Sequence, residues 1–208
     1  MIAPVVPLLL MLGGQAPPPP QKAPSVVMSQ RPQTPAQLYN ETADARAQID
    51  AALKAAAEDD IRILVTWGAN DDESCATFQK DLTGRGSANP AYEIIRTKLS
   101  NEYRQVRVNV GHFDRNQELA AAYGIALSAG SLPHLTVLDK NGHVLAQQPS
   151  RNLTAAPGSP TTYDPEKIAA FLQQHQVPPT NAEPLLAAAL GEAKRDGRYV
   201  FLWFSAPW

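Results

Sequence analysis

The chain has one cysteine in 208 residues. A single thiol excludes an internal disulfide and any cysteine-rich zinc site within these residues. Charge of one sign is also lacking. The 18 Lys and Arg stand against 20 Asp and Glu, a net charge of −2, and give no long-range pull on nucleic acid or an anionic membrane. Beyond the first dozen residues no apolar run is long enough to cross a bilayer. There is no Walker glycine loop, dinucleotide fingerprint, HExxH motif or cysteine–histidine metal spacing. The four histidines, His112, His134, His143 and His175, are scattered, and Ser131 has no visible base partner for acyl transfer. No metal and no cofactor is expected.

What is present is enough apolar material, 44% of residues, for a real core. Many of the 19 prolines fall in the first 35 residues and in the stretches 158–165 and 178–184. That clustering marks linkers rather than general disorder. Ile2 to Leu12 is an apolar run followed by the small residues Gly13, Gly14 and Ala16. It reads as an export signal over 1–16, despite having no basic residue before it, and predicts a periplasmic or secreted protein. A Pro-rich linker is expected over 17–38.

Hydrophobic periodicity then sets out a series of elements. Helical patterns cover Thr42 to Glu58, Cys75 to Leu82, Pro90 to Leu99, Asn116 to Tyr123 and a segment opened by Asp164-Pro165. Ile61 to Trp67 is a mostly apolar, central strand. Tyr103 to Val110 alternates with period two and places Val106, Val108 and Val110 on one face. His134 to Asp139 and Val144 to Ala146 are strands joined by Lys140-Asn141-Gly142-His143, where Asn-Gly predicts a tight hairpin with left-handed torsions. One βαβ unit followed by a hairpin and a helix predicts an α/β fold, a central mixed sheet with helices on both faces.

Three segments, in order, sharpen this prediction. Trp67-Gly68-Ala69-Asn70 leads into Asp72-Glu73-Ser74-Cys75; Val108-Asn109-Val110 is followed by Glu118 to Ile125; and Ser131-Leu132-Pro133-His134 opens the hairpin. Together they resemble the thioredoxin family over about residues 40–176. The resemblance implies a thioredoxin-like three-layer α/β/α fold with a redox loop and a cis-proline segment. It implies Cys75 at the place of the resolving thiol and Asp72 at that of the missing attacking cysteine. It also implies Trp67, Asn70, Leu132 and Pro133 beside an extended peptide or a protein thiol/disulfide partner.

Disulfide exchange needs one thiolate to attack and another thiol to resolve the mixed disulfide. Asp72 can take up the free N–H groups of a helix start, as an ionised thiol would, but it forms no sulfur bond. Acidic neighbours Asp71, Asp72 and Glu73 disfavour a Cys75 thiolate. Dithiol oxidoreductase activity is therefore not expected of these residues. Two readings remain: a peptide- or protein-binding, accessory domain of a thiol–disulfide oxidoreductase, or a single-thiol oxidoreductase or redox-homeostasis protein acting through Cys75.

The chain also repeats itself. Leu53 to Ala69 aligns with Leu190 to Ala206, at an offset of 137, with Leu53/Leu190, Ala56/Ala193, Asp59/Asp196 and Ala69/Ala206 identical. Tyr199 to Trp208 resembles the first strand and loop of a second thioredoxin-like domain. The expected organisation is a thioredoxin-like domain over 39–176, a linker over 177–184 and the truncated start of a second such domain over 185–208.

Overall fold

The computed structural model describes residues 37–84, 87–128, 130–156, 162–179 and 181–203. The expected signal over 1–16 and nearly all of the linker over 17–38 lie outside the described residues.

The first helix, α1 (Ala45–Asp59), starts three residues later than its periodicity suggests. The reason is Asp44, whose Oδ1 accepts from the Ala47 N–H at 3.1 Å and so fixes the first turn. The helix ends at Asp60, which takes the left-handed conformation (φ 54°). Then come β1 (Arg62–Gly68), α2 (Glu73–Thr83), α3 (Ala91–Asn101) and β2 (Tyr103–Asn109). After α4 (Gln117–Ala122) follow β3 (His134–Leu138), β4 (Val144–Pro149), a short 3-10 turn Ser150–Leu153, and α5 (Pro165–Gln174). Asp164 caps α5 and Pro165 opens it, where a missing N–H costs nothing. The last described helix is α6 (Ala182–Asp196).

The sheet order is β2-β1-β3-β4, with β1 parallel to β2 and antiparallel to β3, and β3 antiparallel to β4. It is the central mixed sheet expected from the sequence. Because β1 lies inside the sheet with helices on either side, both of its faces are apolar. Ile63, Val65 and Trp67 join Val106, Val108, Val110 and the α1 residues Ile49, Ala52 and Ala56 in one core layer. Leu64 goes to the other layer, with Phe78, Leu82, Ile95, Leu135 and the α5 residues Ile168 and Leu172. Val106, Val108 and Val110 thus share one layer, as the period-two reading of β2 predicts.

One expectation is corrected. The β3–β4 connection is not a tight Asn-Gly hairpin. Leu138 pairs with Val144, so five residues intervene, and only Gly142 has a positive φ (87°). The Asp139 carboxylate accepts from the Asn141 and His143 N–H groups, each at 2.8 Å, and this holds the wider loop. The segment 199–203, the described part of the stretch that resembles the start of a second domain, forms no ladder with the described sheet. A strand needs a hydrogen-bonding neighbour, and this segment joins neither edge of the sheet.

Candidate functional site

The loop between β1 and α2 is set by Asp72. It adopts an extended conformation, and both its backbone carbonyl and Oδ1 accept from the Cys75 N–H at 3.1 Å. The carboxylate thus does the capping expected of it. Cys75 follows in the first turn of α2 and is fully buried, a member of the core layer that holds Trp67 and Leu132.

Its thiol rests against backbone. A Cβ added to Gly68 would stand 2.7 Å from Cys75 Sγ and 2.2 Å from the Tyr39 hydroxyl. Tyr39 is itself buried, and its hydroxyl and the thiol lie against the same face of Gly68. Burial pushes the Cys75 thiol up to about 12, and the Asp72 carboxylate adds to the rise. The neighbouring Ala69 backbone and Tyr39 hydroxyl oppose it without cancelling it. Acidic neighbours led the sequence reading to the same direction, but loss of water is the larger cause. Tyr39 is also held well above the ordinary phenol value, first by burial and then by Cys75.

The other expected site residues divide by location. Trp67 is fully buried, and its indole Nε1 donates to Thr136 Oγ1 at 3.0 Å across the β1–β3 pair. It forms the floor of the loop and offers no surface to a ligand. Asn70 spends its side-chain amide inside the chain. Its Oδ1 accepts from the Tyr39 N–H at 2.9 Å, and its Nδ2 donates to the Tyr39 carbonyl and Glu41 Oε1, each at 2.9 Å. Asn70 therefore ties the segment before α1 onto the loop and keeps Tyr39 over the thiol.

Leu132 and Pro133 are buried, and the bond between them is cis. Ser150 reaches both carbonyls: its N–H donates to Pro133 O at 2.8 Å and its Oγ to Leu132 O at 3.4 Å. Ser150 Oγ also lies 3.0 Å from the Tyr163 hydroxyl, which is 3.3 Å from the Ser74 carbonyl in the first turn of α2. Two hydroxyls thus connect the start of α2 to the cis-proline segment. His134, next in sequence, has both ring nitrogens buried without a hydrogen-bond partner, and burial, with Arg151 nearby, lowers its pKa and favours the neutral ring.

Sequence reasoning missed Tyr39, Tyr163, Ser150 and Thr136. None stands in a chemical motif. Tyr39 stands first after the linker expected over 17–38, and Tyr163 lies in a proline-bounded stretch that reads as loop. Only the burial of both, 2% and 3% exposed, distinguishes them.

A cleft of about 260 Å³ adjoins the loop, lined by Glu41, Asn70, Asp71, His112, Asp114 and Arg115. His112 Nδ1 lies 3.1 Å from Asp71 Oδ2 at its exposed rim. A larger cleft, about 630 Å³, is lined by Asp44, Arg46 and residues of 114–119 and includes no residue of the loop 68–75. Among the described residues no group of three or more His, Cys, Asp or Glu side chains could hold a metal ion. No described helix is long and apolar enough to cross a membrane.

No family model and no curated protein matches the chain. Solved structures do. A disulphide isomerase from Xylella fastidiosa Temecula1 is similar over 66% of this chain and 95% of its own, with 27% identity and a TM-score of 0.52. The C-terminal domain of Neisseria meningitidis DsbD, in its reduced form, covers 64% of this chain and 97% of its own at 16% identity and a TM-score of 0.42. Trxlp from Edwardsiella tarda EIB202 covers 59% and 92% at 20% identity and 0.36. The likeness to the isomerase, together with the mixed sheet, its flanking helices and the cis-proline segment, fixes the fold. The chain is a thioredoxin-fold protein whose 208 residues hold one cysteine and no C-x-x-C pair, and it cannot complete a dithiol cycle within itself.

Proposed function

We propose that the domain over 39–176 is a non-catalytic binding module, an exported accessory domain of a thiol–disulfide oxidoreductase that holds an extended peptide or protein segment at its cis-proline edge. One observation carries this reading. Asp72, which the resemblance puts in the place of an attacking thiol, has its carboxylate bonded to the Cys75 amide, while the Cys75 thiol is buried with its pKa pushed up to about 12. The helix start is stabilised as a structure and carries no nucleophile. The polar framework around Leu132 and Pro133 is nevertheless complete, with Ser150 and Tyr163 holding it to α2.

The Leu132 carbonyl keeps acceptor capacity, since a carbonyl oxygen has two lone pairs and the Ser150 contact is long. An extended segment could add to such an edge through main-chain hydrogen bonds. Support for a partner in thiol–disulfide chemistry comes from the similarity to a disulphide isomerase. A single-thiol mechanism through Cys75 would first require exposing a sulfur that is wholly covered.

The test has two arms on the purified chain. In an insulin-reduction assay no turnover is expected. In an NMR titration with an unfolded, fully alkylated protein, shifts are expected at 70–72 and 130–134, unchanged by Cys75→Ser. Turnover that Cys75→Ser abolishes, or no shifts at millimolar peptide, would reject the reading.

A further inference from the structure

Helix α6 is built as a copy of α1. Ala45–Asp59 and Ala182–Asp196 each have 15 residues and stand at the offset of 137 given by the sequence alignment. Their ends are made in the same way. Asp44 and Asn181 are both extended, and each side chain accepts from a backbone N–H of the first turn, Ala47 and Glu183. Asp60 (φ 54°) and Gly197 (φ 66°) are both left-handed, and their N–H groups bond the carbonyls of Ala56 and Ala193. The following residues, Ile61 and Arg198, donate to those same carbonyls at 3.1 and 2.9 Å. Residue identity at four positions does not dictate this agreement at both ends.

The two copies differ in what covers them. In α1 the residues Ala45, Ile49, Ala52 and Ala56 are buried against the sheet. Their counterparts in α6 are Ala182, Leu186, Ala189 and Ala193, and no residue of α6 is buried. Leu190, the counterpart of the half-buried Leu53, is 54% exposed. Beyond the helix, Tyr199, Phe201 and Trp203 are 102%, 83% and 80% exposed, with Leu202 also exposed. By the offset they match Arg62, Leu64, Thr66 and Val65, the start of β1. Val200 and Leu202 match the face of β1 toward α1, and Phe201 and Trp203 match the opposite face. A segment apolar on both faces belongs inside a sheet covered on both sides. It is unsuited to an edge, and the described sheet has no vacant interior position.

We infer that residues 182–203 are the opening helix and central strand of a second domain of this fold, and that their apolar face is covered by the rest of that domain, carried by polypeptide that follows in the full-length protein. The missing part is defined by β1. It must bring one parallel and one antiparallel strand to either side of 199–203, and helices to the face away from α6. A second copy of this chain does not meet that need, because its own α1 and β1 already fill the equivalent places. The inference does not depend on whether the domain over 39–176 binds a peptide.

Hydrogen–deuterium exchange tests it, comparing the 208-residue chain with the product of the whole reading frame. In the shorter chain the amides of 186–203 are expected to exchange within about tenfold of the unfolded rate, while those of α1 are slowed at least about a thousandfold. In the whole product both segments should be slowed alike. There, Leu186→Asp should abolish the protection of 186–203 and leave α1 unchanged. A reading frame that stops at residue 208, unprotected 186–203 in a longer product, or an inert Leu186→Asp would each overturn the inference. So would protection in the shorter chain that disappears on dilution, which would make a second copy the occupant.

Discussion

The Tyr39 hydroxyl and the Cys75 thiol crowd the same side of Gly68, where an added Cβ would stand 2.2 Å from one and 2.7 Å from the other. Three residues from separate parts of the chain therefore share one space at the base of the loop. Asn70 closes the arrangement by holding the Tyr39 backbone with two hydrogen bonds. The loop between β1 and α2 is a packed structural joint.

Gly68 is the most constrained position of that joint. A methyl there would lie 2.4 Å from the Tyr39 ring carbon bearing the hydroxyl, and the ring is rigid and buried. Gly68→Ala is expected to destabilise the domain by about 2–3 kcal/mol through overpacking. Urea unfolding measures this as a lower midpoint at constant slope. A change within about 0.5 kcal/mol would mean that Tyr39 is free to swing away.

The thiol should be silent and its pH dependence informative. With its pKa near 12 against about 8.5 for a free cysteine, Cys75 carries about three-thousandfold less thiolate near neutral pH. Ellman's reagent should find no reactive thiol in the native chain and one in denaturant. For stability, the folded pKa is raised, so the contribution is complete below the unfolded value. It is lost as pH rises from about 8.5 toward the folded pKa, at up to about 1.4 kcal/mol per pH unit. Buried tyrosines titrate in the same range, so the difference between wild type and Cys75→Ala isolates the thiol. Parallel stability curves for the two proteins from pH 8 to 11 would contradict this.

Asp72 separates capping from reactivity. Asp72→Ala removes the side-chain acceptor of the Cys75 amide and is expected to cost about 1 kcal/mol in thermal or urea unfolding. Asp72→Cys restores a C-x-x-C pair on a helix start. It is expected to form an intramolecular disulfide in a glutathione buffer and to gain insulin-reducing activity. Two thiols that stay reduced across the whole redox range would show that position 72 is not the place of an attacking cysteine.

Trp67 depends on a single buried acceptor. Thr136 is fully buried and its Oγ1 receives the indole N–H. Thr136→Val keeps the shape of the side chain but leaves that donor unpaired, at a cost of about 1–3 kcal/mol. Thr136→Ser should retain most of the stability. Equal losses in both variants would assign the effect to packing of the methyl group.

The elements of the domain over 39–176 and their order were legible in the residues alone. Alternation in Tyr103 to Val110, the apolar run before Trp67 and the capping residues Asp44, Asp72 and Asp164 are local signals, and local geometry follows from them. The count of one cysteine likewise needs no coordinates. The alignment of Leu53 to Ala69 with Leu190 to Ala206 is also read from residue identities and apolar phase alone.

Tertiary structure decided how the candidate site is used. Trp67 and Asn70 lie in the loop motif, yet packing turns one into a floor and the other into a tie to Tyr39. Tyr163 reaches the Ser74 carbonyl across 89 positions of sequence, and no periodicity encodes such a contact. Asp139 replaced the expected tight turn by capturing two amides of its own loop. Burial and long-range hydrogen bonding arise only when distant segments share a space. The same side chain can therefore be a ligand contact in one packing and part of the framework in another.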